Sequence, residues 1–149
     1  MVNRIIDGIS IRINEVFGDD YEIYSEDIEQ GFKEPCFFIL PLNQKKSPKL
    51  KNRSFREYSF NIHYFPNSSY EKRREINSVL HTLMDELEYI SIDNDLIRGT
   101  NIKSEVVDNI LHFFINYNLF TINNSNNDED MTDISIKEIT KRWFNGEKE

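Results

Sequence analysis

Cysteine is nearly absent from this 149-residue chain, and alanine is wholly absent. With Cys36 alone, no intrachain disulfide and no cysteine-based zinc site can form. That scarcity fits a reducing cytoplasm. No apolar run exceeds Cys36-Phe37-Phe38-Ile39-Leu40. A membrane helix needs about 20 such residues, so none is expected. The opening Met-Val-Asn-Arg-Ile-Ile-Asp has an acid where a signal peptide would be apolar, so no targeting segment is expected. Gly8, Gly18, Gly31, Gly99 and Gly146 are scattered, which excludes a glycine-rich phosphate loop.

What is present suits a single domain of ordinary core size. Isoleucine (20) and asparagine (17) dominate, the pattern of an AT-rich coding sequence. The net charge is −8, but it is unevenly spread. Residues 44–56 hold six bases and no acid, so the remainder carries −8 − 6 = −14. An acidic body argues against a general nucleic-acid or membrane coat.

Hydrophobic spacing gives the elements. Val2, Ile5, Ile6, Ile9, Ile13, Val16 and Phe17 follow the i, i+3, i+4 rule and predict a helix over 2–17, with Asn3 as cap and Gly18 as stop. Gly8 within it costs about 1 kcal/mol against alanine. A short strand is expected in 21–28 and an all-apolar one over 36–42, covered on both faces. Residues 43–52 read as a polar, basic loop. The alternation of Tyr58, Phe60, Ile62 and Tyr64 predicts a half-buried strand over 55–65. Ser68 and Glu71 suggest a capping box before a second helix carrying Ile76, Val79, Leu80, Leu83, Met84 and Leu87. A turn and short strand over 94–100 are expected to follow. Residues 102–108 and 110–122 read as paired strands, with Asp108-Asn109 as a tight turn. The order α-β-β-β-α-β-β implies an α+β fold, with two helices packed on a mixed, largely antiparallel sheet. The domain should span 1–122. A flexible linker over 123–133 and an amphipathic C-terminal helix within 134–149 should follow.

Catalytic chemistry finds little support. His63 and His112 could be sheet neighbours, but a metal site needs a third converging ligand. Cys36 sits among apolar residues, where thiols are usually packing. Glu26, Asp27 and Glu29 could hold a cation or simply form a solvated turn. No catalytic residue, metal ligand or cofactor site is therefore assigned. Lys45, Lys46, Lys49, Lys51, Arg53 and Arg56 are the sharpest charge feature. They read either as a docking surface for an acidic partner or phosphate backbone, or as an exposed hairpin loop. Trp143 and Phe144 are candidate interface anchors.

Four blocks, Tyr24–Ile39, Phe60–Pro66, Leu96–Thr100 and Leu111–Asn118, together resemble the tail-terminator-like proteins of phages and prophages of Gram-positive bacteria. The resemblance covers residues 2–122 and leaves out the segment from Asn123 on. It implies a structural virion protein, assembled in the host cytoplasm, rather than an enzyme. It further implies a homo-oligomeric ring, usually a hexamer, that caps the tail tube and docks the neck or head-completion proteins. DNA would pass the lumen without specific binding. Another head–tail connector and a nucleic-acid-binding module using 45–56 are the alternatives.

Overall fold

The computed structural model describes residues 1–26 and 30–122. Two helices, α1 (Val2–Phe17) and α2 (Lys72–Glu86), accompany six strands. These are β1 (Glu22–Tyr24), β2 (Cys36–Pro48), β3 (Arg53–Phe65), β4 (Tyr89–Ile92), β5 (Asp95–Val107) and β6 (Ile110–Ile122). They form one sheet in the order β1-β2-β3-β6-β5-β4. Only β1–β2 is parallel. The remaining pairs are antiparallel. The expected α+β architecture is what forms.

The helix over 2–17 has the expected bounds, and Gly18 ends it at φ 88°. Its N-cap is Met1, not Asn3, which lies inside the first turn. Gly8 has a packing reason: a Cβ there would sit 3.1 Å from the Ser91 carbonyl oxygen, so the glycine lets α1 close onto β4. Ile5, Ile9 and Ile13 of α1 and Ile76 and Leu83 of α2 are buried with Phe60, Ile62, Tyr64, Phe113 and Ile115 of the central strands. Burying each such side chain contributes about 1.5–3 kcal/mol. Arg12 ties the helices together through the Glu86 carboxylate and the Glu86 carbonyl oxygen, the latter at 3.2 Å.

At the entry to α2 the capping box is displaced by one turn. Ser68 Oγ accepts from the Glu71 N–H at 3.0 Å, as expected. The reciprocal carboxylate comes from Glu75, which accepts from the Asn67 and Ser68 N–H groups and from the Tyr64 hydroxyl at 2.6 Å. Burial, reinforced by that bond to Glu75, pushes the Tyr64 hydroxyl well above its ordinary pKa.

Three regions depart from expectation. A strand, β4, follows α2 directly and was not foreseen; four residues are too few for a clear period. Residues 95–107 form one strand rather than two, continuous through a bulge between Thr100 and Lys103. Of residues 43–52 only 49–52 form a loop: 43–48 extend β2 and pair with β3 as far as Pro48↔Ser54. The linker and C-terminal helix expected over 123–149 lie outside the described residues, as do Asp27 and Glu29.

Candidate docking surface

The helices cover only part of the sheet. Strand β2 begins with four buried residues, Cys36–Ile39, and is exposed from Pro41 almost to its end. Beyond Tyr58 and Tyr117, strands β2, β3 and β6 continue as a three-stranded arm. Its pairing runs to Pro48↔Ser54 and Arg53↔Ile122. A two-residue turn closes the β2–β3 hairpin. Lys51 and Asn52 both have φ near 60°, and the Arg53 N–H donates to the Leu50 carbonyl at 3.3 Å. That conformation matches the strand twist, and Asn tolerates it better than most residues. Asp93-Asn94 and Asp108-Asn109 make the same turn elsewhere.

The six expected cations all lie on this arm, spread around it rather than on one face. Register places Lys45 and Arg53 on the face away from the helices, and Lys46 and Arg56 on the opposite one. Lys49 and Lys51 flank the tip, where Leu50 is 86% exposed between them. Lys45 Nζ lies 3.9 Å from the Glu57 carboxylate, an exposed pair worth little. Arg56 Nε donates to Thr121 Oγ1 at 3.3 Å, which braces the arm internally. Pro41, Pro48 and the lysines blunt the free edge of β2 against pairing with another strand. A cation-bearing arm with a protected edge is suited to side-chain contacts more than to strand addition.

The sheet face away from the helices is the second part of the surface, which sequence reasoning missed. Along β6, buried and half-buried residues alternate without a break. The half-buried set includes His112, Phe114, Asn116, Asn118 and Phe120. At the β1 end this face is covered by Phe32, whose ring packs on Phe38 and Phe65 at 5.5 and 4.9 Å. On the arm, Phe55 and Phe120 pack at 4.7 Å. Between these clusters the bulges of β2 (Leu42, Asn43) and β5 (Asn101, Ile102) fall on neighbouring rungs, opposite Ser59 and Ile115. Bulges bend a strand. Here they border a groove of about 550 Å³ lined by Leu42, Asn43, Ser59, Lys103, Phe114 and Asn116 among others. Two buried amide oxygens on the same face, Asn61 Oδ1 and Asn118 Oδ1, have no hydrogen-bond partner among the described residues. The one signal for this face in sequence was the alternation of 110–122; the paired bulges left none.

His63 and His112 are register partners, with ring centroids 4.2 Å apart. Glu105 is the next residue on that rung. Nevertheless, among the described residues no group of three or more His, Cys, Asp or Glu side chains is placed to hold a metal. Cys36 is fully buried, and that burial, with Glu34 and Glu22 nearby, pushes its thiol up to about 12. A thiol so protonated is a poor nucleophile. No helix among the described residues is long and apolar enough to cross a membrane. Trp143 and Phe144 lie outside the described residues.

A helix-backed sheet with a charged arm and a grooved open face offers candidate contact surfaces. The chain matches the family of phage tail terminator proteins over residues 4–129. It therefore belongs to that structural family, whose members are components of the virion tail. The match runs past Ile122 to residue 129, so the family resemblance does not stop at the end of β6. No curated protein matches the chain.

Proposed function

We propose that this protein closes the head-proximal end of a phage tail tube as a homo-oligomeric ring, a hexamer, and offers the neck proteins their docking surface. Family membership over 4–129 is the observation that carries this reading. The arm supports it. A closed ring needs two different patches on each protomer, so that each copy contacts its neighbour head to tail. The cationic arm, Lys45 to Arg56, is one such patch, and the rest of the chain, at −14 in all, supplies acidic counterparts. Facing a channel, the same acidic surface keeps passing DNA from adhering. Assembly would take place in the host cytoplasm.

Electron microscopy of the purified chain, alone and with tail tubes, tests the proposal. Rings of one protomer thickness on one tube end are expected. A strict monomer that never caps tubes would refute it. The same six cations favour a second reading, phosphate-backbone binding. Duplex DNA binding that falls steeply from 50 to 200 mM salt would support that alternative.

A further inference from the structure

The open sheet face and the groove between its bulges have no counterpart among the described residues, yet they have the features of a seat. Leu42 at the rim is half exposed, and Phe114 forms an apolar wall. Asn43, Asn101 and Asn116 add to the groove's lining amide groups that can accept a hydrogen bond. What this face calls for is an aromatic group that also donates a hydrogen bond. The arm next to it calls for negative charge.

The sequence beyond β6 has both, in order. Asp128, Glu129, Asp130 and Asp133 are four acids with no base between them. Ile134, Ile136 and Ile139 lead on to Trp143 and Phe144. An indole N–H is a donor only, and tryptophan is enriched among the anchors of such seats. β6 ends at Ile122 beside Arg53, at the free end of the arm and directed away from the body. Residues 123–133, when extended, reach at most about 40 Å from that point. A seat on one surface and a plug on another make a head-to-tail contact, the kind that closes into a ring.

We propose that residues 128–144 of each protomer dock on the next copy of this chain. The four acids meet its cationic arm, and Trp143 and Phe144 fill its groove between Leu42 and Phe114. This rests on the ring reading above and names the residues that would join its protomers.

Trp143 is the only tryptophan, so its emission reports the contact in the unaltered full-length protein. We would follow emission and sedimentation together through a dilution series. The expected result is a blue-shifted, quencher-protected spectrum in the assembled protein that turns to a solvent-exposed one as it dissociates. Blue-shifted emission in the monomer means the segment seats on its own chain, and overturns the proposal. Solvent-exposed emission in an intact ring overturns it while leaving the ring reading standing. A chain that stays monomeric at every concentration, alone and with tubes, overturns both. Two variants give an independent check, Leu42→Asp at the seat and Trp143→Ala/Phe144→Ala at the plug. Each alone should assemble at least tenfold more weakly. Mixed, they retain one sound interface per pair and should give a heterodimer by native mass spectrometry. Unimpaired rings from either variant, or no heterodimer from the mixture, would contradict it.

Discussion

Cys36–Ile39 and Leu42–Pro48 belong to the same strand, β2, and share the same partner, β3, yet their surroundings are opposite. The first stretch is buried, between helix-side residues such as Tyr64 and the Phe32–Phe65 pair on the far face. The second is exposed, basic, and bounded by two prolines. Backbone pairing continues unchanged across the boundary apart from one bulge. Strand formation thus needs a register and a closing turn but not a core. The core decides how stable the domain is, and the arm decides what it can touch. Substitutions in the body should therefore act on stability, and substitutions in the arm on assembly.

The largest effect is expected in the body. Phe113→Ala removes a fully buried ring from the centre of β6 and should lower unfolding free energy by about 3–5 kcal/mol, read by urea titration. A loss near that of an arm substitution would break the comparison.

Next comes Tyr117, whose hydroxyl donates to the Leu87 carbonyl at 2.6 Å in a fully buried site. Tyr117→Phe should cost about 1–2 kcal/mol near neutral pH. Burial pushes the phenols of Tyr117 and Tyr64 above their ordinary value of 10.0 in the folded protein. The unfolded chain releases those protons first as pH rises, so stability is full below pH 10 and declines above it. Thermal unfolding at pH 8 and at pH 10.5 should show that decline, and Tyr117→Phe should make it shallower. Cys36 sharpens the same point chemically. A thiol pushed up to about 12 should resist alkylation at pH 8 until the body unfolds. Rapid labelling of the native protein would show that this end of β2 opens.

The smallest effect on stability is expected in the arm. Replacing Lys45, Lys46, Lys49 and Lys51 by glutamine should change unfolding free energy by no more than about 0.5 kcal/mol, since all four side chains are exposed.

The same division explains what could be read in advance. Helix α1, the core face of β3 and the alternation in β6 were legible because burial imposes a period, 3.6 or 2, on residues such as Ile5-Ile9-Ile13 and Tyr58-Phe60-Ile62. Extension of β2 through Gln44–Pro48 was not, because no residue there is selected by a core. Its strand state comes from the partner β3 and from the turn at Lys51-Asn52, in which a lysine takes φ 59° with no local advertisement. The Asp93-Asn94 turn did carry the tight-turn signal recognised at Asp108-Asn109, and would have revealed β4. For the candidate surface, the charge run located the arm but gave the wrong backbone. The groove depends on two bulges from strands nearly sixty positions apart in sequence, a coincidence only the folded sheet creates.

Central to this account is the claim that the arm serves assembly and the body stability. The most direct test takes the quadruple glutamine variant of Lys45, Lys46, Lys49 and Lys51 and measures thermal unfolding and native mass on one sample beside the unaltered protein. We expect the melting temperature to be retained while the ring is lost or dissociates at markedly lower dilution. An unchanged ring, or a ring lost only together with the fold, would contradict the account.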